Sequence, residues 1–244
     1  MSLKKMSYII YTAYEIGDSP QSCMDATKMT NFVISHYLIG DDCMMLEDKK
    51  DMLNAIDKNC VLQNHSVELC EEFEPIASPV IYSKNSHIDI SSDSISYVCI
   101  LTRGVALEIV TNESGDERAV DILKPGRVVG ACEAISGAQL NVHLKTISSC
   151  KFIKIPSRNY LSFIDRKSLI QRVLKCNQIR SEKYKKHLAA LQLSTHEKRI
   201  EWAIEQLRDE DTNKLVARNM DIAIVVGCSK ETVSRVLSNM GSHN

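Results

Sequence analysis

The spacing of apolar positions along this chain starts helical, turns to alternation, and returns to helical. In residues 22–60 the stretches "TNFVISHYLIG" and "DDCMMLEDKKDMLNAIDKNC" place apolar side chains at helix-like intervals behind acidic starts, which predicts helices. From about Ile76 the runs shorten. "YVCIL", "VALEIV", "AVDIL" and "KFIKI" have strand length, and "NESGDE" between two of them reads as a hairpin turn. Many short strands at this spacing predict a closed or double-sheet antiparallel structure, a jelly roll or barrel. Pro156 ends the β texture. A long helical stretch then runs from about Ser157 to Leu193, with a break expected near Asp165.

Within that stretch Ile170, Leu174, Asn177, Ser181, Tyr184, Leu188 and Leu191 recur in alternating steps of four and three, the spacing of a coiled-coil seam. The preferred reading is a dimer helix in which the polar Asn177 and Ser181 meet their equivalents. The alternative is a helix packed on its own barrel. Arg166, Lys167, Arg172, Lys175, Arg180, Lys183, Lys185 and Lys186 are assigned to the outer positions, against Glu182 alone. This is either a solvated face or a positive flank beside a polyanion.

The last fifty residues form a small helical unit. "THEKRIEWAIEQLRDED" carries Ile200, Ala203, Ile204 and Leu207 on one stripe, with Trp202 beside it. "NMDIAIVV" follows as a short helix with Ile222, Ala223 and Val226 on one face. Gly227 suits a left-handed C-cap and Ser229 an N-cap; Glu231 complements the dipole of the next helix. In that helix Val233, Val236, Leu237 and Met240 form a buried face, while Lys230, Glu231, Ser234, Arg235 and Ser238 face outward. Helix, glycine turn and capped helix make a helix-turn-helix pattern, though an αα-hairpin with a solvated face has the same spacing. The outward residues suit base reading. Arg pairs with guanine O6 and N7, Glu accepts from cytosine N4, and hydroxyls and the helix N-terminus hold phosphates. Charge does not add to this: from 194 to 244 there are seven Lys and Arg against eight Asp and Glu.

Composition narrows the class. Hydrophobic content of 44 %, charged content of 25 % and a net charge of −1 are ordinary for a globular protein, and no apolar run approaches the roughly 18 residues of a membrane span. The N-terminus lacks signal-peptide features, so a cytoplasmic protein is expected. Nine cysteines, at 23, 43, 60, 70, 99, 132, 150, 176 and 228, include no C-x-x-C pair. Reduced, mostly buried thiols are expected rather than a disulfide framework; one or two reactive sensor cysteines are the alternative. No G-x-S-x-G, P-loop or H-E-x-x-H occurs, and no enzyme or metal site is predicted.

The order of β-rich domain, long helix and helix-turn-helix resembles the CRP/FNR family of bacterial transcription regulators. The resemblance covers roughly residues 70 to 240. It is most specific at "DIAIVVGCSKETVSRVL" and extends through "LTRG", "GDE", "LKPGRVVG" and "KFIKIP", with Gly104, Gly115, Gly126 and Gly130 at the barrel turns. It implies an α+β chain. Residues 1–70 are read as an N-terminal helical extension and 71–156 as a cyclic-nucleotide-binding-like jelly-roll barrel. Residues 157–193 are read as a dimerisation helix and 194–244 as a helix-turn-helix domain. By resemblance, Lys230, Glu231, Ser234 and Arg235 fall on base-contacting positions and Thr232 on a phosphate contact, with Ser229 at the cap. The partners implied are a palindromic duplex DNA site, a second copy of the chain and RNA polymerase; no membrane is implied.

The chain also departs from the family. Members that bind cAMP place a Glu after the glycine matching Gly130 and an Arg some ten residues later. Here Ala131 follows, and no Arg occurs from Val128 to Ser157. His143 or Lys145 would have to replace it. cAMP is therefore not expected to bind in the usual way, and the cysteines are too scattered for the iron–sulfur cluster of the FNR branch. No cofactor is predicted. The family continues beyond the recognition helix with a β-hairpin wing, where this sequence has only "SNMGSHN", and Ile224 stands at a usually polar position. The expected function is a dimeric sequence-specific DNA-binding regulator. The rivals are a wingless protein-interaction module or anti-regulator, and a cysteine-based redox or small-ligand sensor with DNA binding as its output.

Overall fold

A computed structural model describes residues 44–89, 96–137, 142–193, 195–210 and 212–241. The described residues belong to one compact unit, Asp42–Asn244. The helix expected in "TNFVISHYLIG", like Cys23 and Cys43, lies outside them. The elements in order are α1 (Leu46–Asp57), α2 (Ser66–Phe73), β1 (Ser78–Tyr82), β2 (His87–Asp89), β3 (Tyr97–Arg103), β4 (Ala106–Thr111), β5 (Glu117–Leu123), β6 (Val128–Val129), α3 (Ala131–Ser136), β7 (His143–Thr146), β8 (Cys150–Pro156), α4 (Ser157–Arg166), α5 (Ile170–Leu193), α6 (His196–Gln206), α7 (Asn219–Val226) and α8 (Lys230–Gly241).

The strands form two four-stranded sheets, ordered β1-β8-β3-β6 and β2-β7-β4-β5, with every pairing antiparallel. Alternation along each strand gives the sheets two faces. The inner faces meet around Leu101, Ala106, Leu123, Leu144, Cys150 and Phe152. The expected hairpin is present: Asn112 N–H donates to Asp116 O at 3.1 Å, and Gly115 takes φ +82°. Gly126, at φ +94°, permits a second close approach. A Cβ there would lie 2.8 Å from the Lys58 Cβ and 2.9 Å from the Ala55 carbonyl. Asn59 Nδ2 donates to the Gly126 carbonyl at 2.8 Å, which fixes the end of α1 on the barrel turn.

Each outer face carries a covered apolar patch. That of the first sheet (Val98, Ile100, Ile153, Ile155) lies under α1, α2 and α4, through Met52, Ile56, Leu69, Phe73, Tyr160 and Phe163. That of the second (Val105, Leu107, Ile109, Ala119) lies under the C-terminal helices, through Ile200, Ala203, Leu207, Ile222 and Ile224. Residues 44–77 thus belong to the barrel core. The helix α2 follows no side-chain cap, since His65 makes no capping bond.

Three expectations change. First, the cysteines are not all thiols: Cys60 and Cys176 form a disulfide, with Cα atoms 6.3 Å apart across a sequence separation of 116. The loop after α1 meets the second turn of α5 there, a juxtaposition that no local spacing announces. Second, the seam of α5 divides. Asn177 Oδ1 accepts from Cys132 Sγ at 3.3 Å and the Tyr184 hydroxyl donates to Asp121 at 3.1 Å, both within the chain. Ile170, Leu174 and Leu188 are exposed, while Ser181 and Leu191 are half-buried. Third, the basic flank is partly neutralised, at three residues from other elements and at Lys185 from Glu182 within α5. Arg166 pairs with Glu72, Lys167 with Glu68, Arg180 with Glu108 at 3.9 Å and Lys185 with Glu182 at 2.8 Å. Arg180 points inward, because Tyr184 and Glu108 hold it against the barrel.

Candidate nucleic-acid interface

The helix-turn-helix forms as its residues predict. Gly227 closes α7 in the left-handed region, at φ +73°, and its N–H donates to the Ala223 carbonyl at 2.9 Å. Such a residue at the C-cap satisfies an orphan carbonyl without a Cβ penalty. Ser229 Oγ accepts from the Thr232 N–H at 3.2 Å, and the two hydroxyls lie 3.1 Å apart. At the entry to α7 the Arg218 N–H donates to Asp221 Oδ2 at 2.9 Å, and the Arg218 guanidinium covers the same fully buried carboxylate.

In α8, Val233 and Val236 are buried, and Leu237 and Met240 half-buried. Lys230, Glu231, Ser234, Arg235 and Ser238 are exposed, as is Ser229. Thr232 is half-buried, its hydroxyl occupied by the cap. The backbone N–H at the helix start and the Ser229 hydroxyl hold the Glu231 carboxyl below its usual range, so it is acceptor-only at neutral pH. Glu197, in the first turn of α6, has its carboxyl lowered chiefly by backbone and Thr195 hydrogen bonds, with a smaller contribution from Arg235. The exposed face therefore mixes one acid, two bases and three hydroxyls, a set suited to base edges and phosphates.

The other helix of the motif is enclosed beyond its first two residues. Asp221 through Val226 are buried without exception, because α6 and α8 take one side and the second sheet takes the other. Ile224 is the residue that explains this: it is 8 % exposed and joins the apolar cluster on the outer sheet face. The β4–β5 turn meets the motif directly. Gly115, Asp116 and Arg118 line a cleft with Met220, Ile224, Cys228 and Lys230. No sequence spacing links these segments; the signal was an isoleucine at a position where the pattern expects a polar residue.

Between the inner sheet face and α5 lies a polar network that sequence reasoning missed. Glu108 and Asp121 are cross-strand partners, so they share a face with Ala106 and Leu123. Arg127 pairs with Asp121 and donates to the Tyr184 hydroxyl at 3.4 Å, and Arg180 donates to the same hydroxyl at 3.0 Å. Burial lifts the Glu108 carboxyl above its ordinary range, against the pull of Arg180. His143 and Lys145, the suggested phosphate partners, are elsewhere. Their cross-strand neighbours Ile109 and Leu107 belong to the outer face, and Lys145 Nζ is 2.9 Å from Glu117. A cavity of about 480 Å³ adjoins the network, bordered by Asp121, Tyr184, His187, Trp202 and Gln206.

Among the free cysteines, burial pushes Cys70 up to about 12 and Cys150 up to about 11, and partial burial also raises Cys228. None of these is an activated thiolate. Among the described residues, no helix is long and apolar enough to cross a membrane.

No family model and no curated protein matches the sequence. Solved structures do match the fold. The c-di-GMP-responsive global regulator CLP of Xanthomonas campestris aligns at TM-score 0.57 and 19 % identity, over 72 % of this chain and 92 % of its own. FixK2 of Bradyrhizobium japonicum aligns at TM-score 0.59 and 17 % identity, over 69 % and 86 %. A regulator from Eubacterium rectale assigned to the CRP/FNR family aligns at TM-score 0.58 and 14 % identity, over 72 % and 83 %. The chain has the fold of the CRP/FNR regulators: a double-sheet barrel of the cyclic-nucleotide-binding type, a long helix and a C-terminal helix-turn-helix.

Proposed function

We propose that the protein is a dimeric, sequence-specific DNA-binding transcription regulator that does not use cAMP in the family's usual way. The observation that carries this reading is the exposed face of α8. Lys230, Glu231, Ser234 and Arg235 project from a capped helix N-terminus whose opposite face is locked into the core. Arg235 and Glu231 are the proposed readers of a G·C pair in each half-site, and Ser229 and Thr232 supply phosphate contacts. The second copy is proposed to pair along α5 through Ile170, Leu174 and Leu188, which are exposed, with Asn177, Ser181, Tyr184 and Leu191 at the seam's inner margin. Against cAMP stands the network at the barrel–helix junction. Both guanidiniums there, Arg127 and Arg180, are already matched by Asp121 and Glu108, so a phosphate would have to displace a carboxylate.

Selection from a pool of random duplexes at two salt concentrations tests the proposal. Recovery of a palindrome is expected. Arg235→Ala should then cost about 1–3 kcal/mol and relax one base per half-site. Stable dimers with no enrichment at any salt would instead favour a protein-interaction module or anti-regulator. A redox sensor is favoured by one observation, the Cys60–Cys176 bond between the N-terminal helices and α5. Identical DNA binding under oxidant and reductant would exclude it.

A further inference from the structure

The outer face of the second sheet has two halves. Its β4–β5 half is apolar and lies under the C-terminal helices. Its β2–β7 half is polar. His87 pairs with Lys145 and Asp89 with His143 across β2–β7, and Leu107 pairs with Lys145 and Ile109 with His143 across β4–β7. Cross-strand partners share a face, so His87, Asp89, His143 and Lys145 stand beside the apolar half. Glu117, the first residue of β5, reaches over the same surface.

Two histidines converge on one oxygen of that glutamate. His87 Nδ1 and His143 Nε2 each lie 3.7 Å from Glu117 Oε1. One donor atom from each of the three residues fits within a 4.8 Å span. For bonds of the length zinc makes to nitrogen and oxygen, donors in a tetrahedron stand about 3.4 Å apart; each histidine donor already stands near that distance from Glu117 Oε1, at 3.7 Å, and all three donors lie within 4.8 Å of one another. The rings are 5.6 Å apart and tilted by 31°, near each other without closing the space between them. His87 is half-exposed and His143 and Glu117 are partly buried, which leaves room for water at a fourth position. The three ligands come from three strands of one sheet, so the ladder holds their spacing.

We propose that His87, Glu117 and His143 bind one divalent transition-metal ion of the class that imidazole and carboxylate favour, with Zn2+ as its representative. Lys145 is the brake on this site. Its ammonium occupies Glu117 Oε2 at 2.9 Å, leaving Oε1 for the metal but opposing a second cation nearby. The location gives the site a reach beyond its ligands. Glu117 belongs to the segment that also includes Asp116 and Arg118, which line the cleft against Ile224, Cys228 and Lys230. An occupied site therefore ties β2 and β7 to the strand end that meets the helix-turn-helix.

Zn2+ titration of tag-free protein against a chromophoric chelator tests this, with the Co2+ difference spectrum as a second readout. One equivalent is expected to bind wild type. His87→Asn and His143→Asn should each weaken binding by about tenfold or more, on the scale of lost metal-site interactions, and the double variant should lose it while melting at an unchanged temperature without metal. Lys145→Met should tighten binding several-fold, a gain that a misfolded variant cannot imitate. No stoichiometric binding, or equal binding by wild type and the double variant through cysteine thiols, would overturn the proposal.

Discussion

The barrel's two outer faces are covered in different ways. The first sheet lies beneath helices rich in fully buried large side chains: Met52, Phe73, Tyr160 and Phe163, with the Phe73 and Phe163 rings 5.6 Å apart. Charge crosses this boundary as well. Lys151 reaches Asp48 and, at 2.9 Å, Asp51; Arg103 reaches Asp51 at 2.8 Å. A disulfide then joins the segment to α5. The second sheet is covered mainly by aliphatic side chains, among them Ile200, Leu207, Ile222 and Ile224. One cover is part of the barrel, and the other is a separate helical motif resting on it. In the proposed regulator this asymmetry would have a use, because the proposed reading helix could respond to its sheet only if that contact were the weaker one.

Substitutions in the first cover should therefore unfold the whole described unit. Phe163→Ala removes a fully buried ring from that cluster, and a loss of about 3–5 kcal/mol is expected in denaturant unfolding. A smaller loss with a separate early transition would show that the helices detach from the barrel by themselves. The disulfide comes next. A loop of this length stabilises by about 5 kcal/mol through chain entropy. Cys60→Ser should melt lower by a corresponding amount, and reductant should lower wild type to the same level while leaving the variant where it was.

How much of this was readable depended on sequence distance. The strands β3, β4, β5 and β8 were legible because each has five or more residues of suitable texture between clear turns. The two- and three-residue strands β6 and β2 were not, since they are too short for any period. The α7–turn–α8 motif was legible to the residue because its caps are local. The seam of α5 was legible as a period but not as a direction. Val173, Asn177, Arg180 and Tyr184 face the barrel beside the exposed Ile170, Leu174 and Leu188, and neighbouring stripes on one helix share the same spacing. The Cys60–Cys176 bond, the Arg127–Asp121–Tyr184 network and the His87–Glu117–His143 cluster were illegible for one shared reason. Each joins residues that only strand register or tertiary packing brings together.

The second cover is probed at Ile224. Ile224→Ala removes an aliphatic side chain at the edge of its cluster and should cost about 2 kcal/mol. The contrast with Phe163 is in the pattern of loss as well as its size. Hydrogen exchange should rise across residues 196–241 while the first sheet and its cover keep their protection. Uniform acceleration throughout the unit would mean that the helix-turn-helix and the barrel open together, and the proposed asymmetry would fail.

The smallest expected effect concerns the barrel–helix junction, where neither cover reaches. Burial raises the Glu108 carboxyl above its ordinary 4.5, Arg180 opposing and Asp121 adding to the shift. The folded state thus holds this proton more tightly than the unfolded chain. The associated stability is complete below pH 4.5 and is lost as the pH rises through the raised value. Glu108→Gln keeps the shape and removes the ionisation. Its stability relative to wild type should therefore grow as the pH rises from acid to neutral, in urea unfolding measured at both ends of that range. A difference that instead shrinks toward neutral pH would mean that the Glu108–Arg180 attraction outweighs burial. The carboxylate would then be a net support for the junction between barrel and long helix.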